Sequence, residues 1–230
     1  MSILSIKNVS KSFDGKVILD DISFEIKSGS LVGLLGKNGS GKTTVIKLIN
    51  DLLTPDKGEI LIDGKKVGVD TKSIVSYLPE RTYLDPSKSV KEIFDFFSAF
   101  YPDFDREKAV KLLKDLSLDE NEKLTKMSKG MKEKIQLVLV MSRKAKLYIL
   151  DEPLGGVDPS TRDYILDTIL SNLTEDSSML ITTHLISDVE RILDEVVLID
   201  NGKILLTGNA DELRSEHKAS INEIFRRTVK

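Results

Sequence analysis

The sequence predicts an α/β fold: a mixed sheet core, an antiparallel β subdomain and an inserted helical lobe. Three observations predict it. The apolar run Leu31-Val32-Gly33-Leu34-Leu35 reads as a buried strand, and it passes through a glycine-rich segment, Gly36 to Thr44, into the helical stretch Val45 to Asn50. Two more apolar runs, Leu147 to Leu150 and Met179 to Thr182, stop abruptly at Asp151-Glu152-Pro153 and at Thr183-His184. These are carboxyl ends, where open α/β sheets keep their chemistry. Ahead of Leu147 the composition turns aromatic, with five of the eight phenylalanines between Phe94 and Phe104.

A chain of 230 residues can bury a real core as one domain. Its net charge of −3 leaves no basic field for a nucleic-acid backbone, so nucleic acid is not an expected partner. With no cysteine there are no disulfides or thiolate metal sites, which fits a reducing compartment. No apolar run approaches the roughly 20 residues that cross a bilayer. The start, Met1-Ser2-Ile3-Leu4, lacks the long apolar segment of a secretory signal, and a cytoplasmic location is expected.

Taken in order, Ile3 to Phe13 and Ile22 to Ile26 alternate loosely, and the Asp14-Gly15 turn signal makes them a hairpin leading to the first buried strand. After the first helix come the turn Pro55 to Gly58, the strand Glu59 to Ile62 and the buried strand Ile74 to Leu78, cut off by Pro79. Within Val90 to Tyr101, Ile93, Phe97 and Phe100 share one helical face while Phe94 and Phe96 point elsewhere. Asp105 suits the cap of a helix striped by Ala109, Leu112, Leu113 and Leu116, and Ser128 suits the cap of the next, through Ile135, Val138 and Leu139. Asp158-Pro159 opens a helix whose apolar face is Ile165, Leu166, Ile169, Leu170 and Leu173. Asp200-Asn201-Gly202 turns a last hairpin, and the charged tail from Ala210 is expected to be helical, with His217 solvated. The expected division is a core lobe of about 1–80 and 146–210, a helical lobe of about 81–145 and a tail of about 211–230.

The segment Gly36-Lys37-Asn38-Gly39-Ser40-Gly41-Lys42-Thr43-Thr44 carries the chemistry. Its glycines let successive backbone N–H groups turn inward, and the positive end of the following helix adds to their pull on anions. Lys42 then reaches the β- and γ-phosphates, and the Thr43 hydroxyl ligates magnesium. Two adjacent carboxylates at a buried strand end, Asp151 and Glu152, are costly unless a cation meets them, and in a phosphate site that cation is magnesium.

With these residues the chain resembles the ATP-binding subunit of an ABC transporter over nearly its whole length. Gly36 to Thr43 matches the Walker A loop, Leu147 to Asp151 with Glu152 the Walker B strand and catalytic carboxylate, and Ser128-Lys129-Gly130 the signature. Gly156-Val157-Asp158 matches the D-loop and His184 the switch histidine. The resemblance implies a P-loop NTPase of ABC type that binds ATP and Mg2+, with Thr43, Asp151 and Glu80 around the metal. Glu152 polarises the attacking water, a role usually worth about 10²- to 10⁴-fold in rate. It also implies that His184 contacts the γ-phosphate, Phe13 stacks on adenine, and Ser128, Gly130 and Asp158 serve the nucleotide of a second ATP-binding subunit, identical or a paralogue. The chain would then sit on the inner face of the cell membrane through a separate permease.

Three positions depart from the family pattern. Glu80 stands where glutamine is usual, adding negative charge beside Asp151 and Glu152. Lys129 replaces a signature glycine, its ammonium lying either near the partner's nucleotide or in solvent. Phe13 stands where tyrosine is common. The Tyr77-Leu78-Pro79-Glu80 and Ser128-Lys129-Gly130-Met131 variants are similar to those of bacterial export-type subunits of the ABC-2 kind. That reading makes the chain a motor for a permease, which docks at the excess aromatic surface of Tyr83, Phe94 and Phe96. The alternative is a soluble ABC-type ATPase acting on a non-membrane partner. Against it stands the absence of a second cassette, coiled-coil heptads and a basic stripe.

Overall fold

The computed structural model describes residues 1–155, 157 and 159–229, with backbone alone at 159 and 160. Strands β1 (Ser2–Phe13) and β2 (Lys16–Lys27) form the first hairpin. Its turn residues Asp14 and Gly15 have φ of 48° and 79°, the positive pair that a two-residue turn needs to match the strand twist. Strand β3 (Leu31–Leu35) leads through the glycine segment into α1 (Lys42–Ile49). Strands β4 (Lys57–Ile62) and β5 (Lys65–Lys66) return to the hairpin and complete an antiparallel sheet of order β2-β1-β4-β5. One helical turn, α2 (Val69–Lys72), precedes β6 (Val75–Leu78).

Helices α3 (Val90–Phe100), α4 (Arg106–Asp115) and α5 (Lys129–Met141) follow as one block, each capped by a side-chain oxygen: Ser89, Asp105 and Ser128. The chain then returns to the sheet through β7 (Leu147–Asp151), α6 (Pro159–Asn172), β8 (Ser178–Thr183), the turn α7 (Ile186–Val189), β9 (Glu195–Asp200) and β10 (Lys203–Asn209). The second sheet has the order β10-β9-β3-β8-β7-β6, parallel throughout except for the β9–β10 hairpin.

Both faces of this sheet are covered, so its strands are apolar on both sides. On β3, Val32 and Leu34 join the core beneath the antiparallel sheet and α1, while Leu31 and Leu35 join the core beneath α6. Tyr148 and Leu150 alternate with Leu147 and Ile149 in the same way on β7. A third core belongs to the helical block, built from Val90, Ile93, Phe94, Phe97, Ala109, Leu113, Leu124, Ile135, Val138 and Leu139.

Two face assignments are corrected here. On α3 the buried residues are Val90, Ile93, Phe94 and Phe97, whereas Phe96 and Phe100 are 61% and 65% exposed. The stripe is centred on Val90 and Phe97, which brings Phe94 inside it and leaves Phe100 at its edge beside Phe96. On α6, Leu170 is exposed while Ile165, Leu166 and Ile169 are buried. The tail is helical, as α8 (Ala210–His217) and α9 (Ile221–Thr228), and His217 is exposed. Its charge hides an apolar seam, Leu213, Ile221 and Ile224, that packs on the second sheet's core.

Arg143, after α5, ties the helical block to the sheet. Buried to 4% exposure, it donates to both oxygens of Asp103 and to the carbonyls of Ser73 and Val75, and it lies 4.0 Å from the Tyr101 ring centre.

Candidate active site

The glycine segment stands at the carboxyl end of β3. Gly41 has φ of 111°, a left-handed setting that favours glycine, and supplies no side-chain cap to α1. Gly36 is fixed by space: an added Cβ would lie 2.4 Å from the Ile199 carbonyl oxygen. The loop is also braced by the distant β9–β10 turn, where the Gly202 N–H donates to the Ser40 carbonyl and the Gly202 carbonyl accepts from Asp20 N–H. The Ser40 hydroxyl is buried with no hydrogen-bond partner. An uncapped helix start beside an orphaned hydroxyl is a chemical fit to an anion.

Lys42 folds over this loop, its Nζ donating to the carbonyls of Gly36 (2.8 Å) and Lys37 (3.1 Å). Burial pulls its pKa down, against the opposing pull of Glu152, Asp151 and Glu80. The same ammonium is 3.8 Å from Glu152 Oε1.

Asp151 and Glu152 sit at the end of β7, two strands from β3 in the sheet. Asp151 is buried, accepting from the Thr182 hydroxyl at 2.6 Å. Burial raises its pKa despite that bond, and the nearby charges of Glu80 and Glu152 raise it further. Glu152 has φ of 51°, unusual for a residue with a side chain. Its Oε1 lies 3.0 Å from His184 Nδ1 at the end of β8, and its Oε2 accepts from the His184 backbone N–H at 3.4 Å. Nδ1 therefore faces the carboxylate, which leaves Nε2 to meet another group.

The cleft over these residues has a volume of about 1200 Å³. It brings together Asn38, Gly39, Gly41, Lys42, Thr43, Thr44, Glu80, Glu152 and His184 from the expected set. Lys129 lines it too, 85% exposed and paired with Glu133 at 3.6 Å. Ser128 is exposed beside it, its hydroxyl accepting from Met131 N–H at 3.3 Å. Phe13 is 41% exposed and does not line the cleft; its cross-strand partner Lys16 does. Asp158 and Gly156 lie outside the described residues. Among the described residues no three His, Asp or Glu side chains form a ready metal cage. The donor set of hydroxyl and carboxylates still fits magnesium, a hard cation usually held by one or two carboxylates plus phosphate oxygens and water.

Sequence reasoning missed Lys16, Ile18, Arg81, Thr82 and Glu133 on the cleft wall, and Thr182 beneath Asp151. Of these only Thr182 left a signal, as a hydroxyl two residues ahead of His184 on a carboxyl-terminal strand end.

A second hollow, of about 860 Å³, lies where α3 and its following turn meet the sheet. Leu52, Val69, Tyr83, Phe96 and Phe100 all line it, and all are well exposed. Phe96 and Phe100 stack there at 5.8 Å with their planes 12° apart. Phe94 takes no part, being fully buried against Phe104.

A glycine loop at one strand end, with a histidine on the adjacent strand and paired carboxylates on the strand beyond it, defines a P-loop NTPase. Residues 19–155 match the ABC transporter family, and the chain belongs to that family. It is 33% identical over 94% of its length to the ABC transporter ATP-binding protein YtrB of Bacillus subtilis, spanning 75% of that protein. It is 32% identical to the SkfA peptide export ATP-binding protein SkfE of the same organism, covering 89% of this chain and 88% of that one. Among solved structures it resembles an ATP-binding subunit of an ABC transporter at a TM-score of 0.91, with 29% identity and all of both chains covered. The fold is thus that of an ABC ATPase, and the chain is an ATP-binding subunit of this family.

Proposed function

We propose that this chain hydrolyses ATP with Mg2+ and drives a separate membrane permease, for export. The observation that carries the reading is Glu152, a carboxylate held beside the phosphate loop by Lys42 and His184. In that position one Glu152 oxygen takes a proton from water as the water's oxygen attacks the γ-phosphorus, and the bond to the β–γ bridging oxygen breaks. ADP leaves with the bridging oxygen and inorganic phosphate with the attacking one. Lys42 and the backbone N–H groups of Gly39 to Thr44 hold the phosphates, and His184 Nε2 reads the γ-phosphate. Thr43, Asp151 and Glu80 are the residues that would hold magnesium. When bound, magnesium neutralises charge on the phosphate oxygens.

Phe13 would stack on adenine from the hairpin. Ser128, Gly130 and Asp158 would meet the nucleotide of a second copy or paralogue, closing two ATP molecules in a sandwich. The exposed aromatic hollow is the docking surface for a permease helix, placing the chain on the cytoplasmic face of the membrane. Nucleic acid has no part in this reading, given the net charge of −3. Export is favoured by the similarity to a relative described as a peptide export ATP-binding protein. The test is Glu152→Gln with ATP and Mg2+ on size-exclusion chromatography. The slowed variant should accumulate as a dimer; a variant that stays monomeric, even with permease present, refutes the reading.

A further inference from the structure

A third hollow, of about 470 Å³, lies at the end of the second sheet away from the cleft, where β7 and β8 begin. Its wall includes Lys108 of α4, Asn172 at the end of α6, and the segment Lys144 to Lys146 ahead of β7. None of these residues lines the nucleotide cleft.

Lys108 is half-buried, and among the described residues it forms no ion pair. Its Nζ donates to Asn172 Oδ1, an uncharged acceptor. Asn172 is buried, and its own Nδ2 donates to the Thr168 carbonyl at 2.7 Å, which leaves Oδ1 to the lysine. A neutral amine meets that acceptor as well as an ammonium does: one N–H satisfies Oδ1, and the lone pair stays open to the hollow. Burial pushes the Lys108 pKa down; Asp105 opposes that pull and Lys144 adds to it. The other charges about the hollow are paired or in water. Arg143 is held by Asp103 and Lys146 by Asp63 at 2.8 Å, while Glu175 and Asp176 are exposed, as are Glu107 and Lys111 on α4 itself. Burial lowers Lys42 as well, but two carbonyls bind its ammonium and Glu152 faces it.

We propose that Lys108 is an acylation site, its amine taking the acyl group of a small acyl phosphate that enters this hollow. One proton first passes from the ammonium to water. The lone pair then attacks the acyl carbon, the bond to the phosphate oxygen breaks, and phosphate leaves with that electron pair and a second nitrogen proton. Lys144, exposed and paired with Asp105 only at 3.6 Å, is placed to attract the phosphate group. The amide product keeps one N–H for Asn172, so the bond between α4 and α6 survives the modification.

The test treats the full chain with acetyl phosphate and reads the initial rate at each lysine by peptide mass spectrometry. At about pH 7.5 Lys108 should react about fivefold faster than Lys111 and Lys114, which are exposed on the same helix, and the lead should close as pH approaches about 10. Asn172→Asp sets a carboxylate against the amine, holds it protonated and should abolish the lead. Lys144→Gln, an exposed change that leaves Asn172 in place, should lower the rate at Lys108 about twofold. In urea the lead should vanish, because burial produces it. Equal rates in the native chain overturn the proposal, as does a lead that survives in folded Asn172→Asp or in urea. Should Asn172→Asp not fold, Lys144→Gln decides, and an unchanged rate at Lys108 overturns the proposal.

Discussion

Phe96 and Phe100 should matter to a permease and little to the fold, whereas Phe94 should do the reverse. Phe94 is completely buried in the helical block, so Phe94→Ala should cost about 3–5 kcal/mol of stability through the cavity it leaves. Phe96 and Phe100 are 61% and 65% exposed, and truncating both should move the unfolding free energy by less than about 1 kcal/mol. Their value lies in what remains to be covered. With roughly 200 Å² per ring, some 120 Å² of each is open, and at ~25 cal/mol per Å² a docked helix would gain up to about 3 kcal/mol from each. Ordering costs on both sides reduce that, so the double variant should lose about 2–4 kcal/mol of permease binding, or roughly 30- to 1000-fold. Urea unfolding gives the stability, and co-purification with titrated permease gives the binding. Full permease binding by Phe96→Ala/Phe100→Ala, or a Phe94→Ala protein as stable as wild type, would refute the reasoning.

Two other outcomes follow from the buried charges. Arg143→Met should cost about 3–5 kcal/mol in urea unfolding, because it strands Asp103 and two carbonyls beneath the helical block; a loss under about 1 kcal/mol would deny Arg143 its tying role. Burial raises the pKa of Asp151, so the folded state holds this proton more tightly than the unfolded chain. Metal-free stability from this group is then full below the ordinary carboxylate value and lost as pH rises through the raised folded value. Melting curves from about pH 4 to about pH 8 should show that decline in the wild type, reduced in Asp151→Asn. An unchanged slope in the variant would place the titration elsewhere.

The elements that sequence pattern revealed were those with one strong local cause. Asp14-Gly15 and Asn201-Gly202 fixed two hairpins through positive φ, and the Asp105 and Ser128 caps began α4 and α5 where expected. The order of apolar strands and polar strand ends carried the glycine loop, Glu152 and His184 into one cleft, with Asp151 buried on Thr182 at the end of β7. What pattern could not supply was any relation set by tertiary packing. Four rings crowded into α3 gave no periodic contrast, so which of them faced inward depended on α4 and α5. Arg143 carries no local signal, and only the fold gathers Asp103, Ser73 and Val75 round it. Lys16 reaches the cleft from a segment without a motif, and Arg81 from the position just after Glu80, which no expected role covered.

The brace from Gly202 to Ser40 gives the phosphate loop a history. Its own residues are made early in synthesis, yet its final shape waits on a turn some 160 positions later, since Gly202 N–H donates to the Ser40 carbonyl and Ile199 crowds Gly36. A nascent chain still short of that turn holds the complete motif without its buttress. Competence to bind nucleotide should therefore appear on the ribosome only once the last hairpin has emerged.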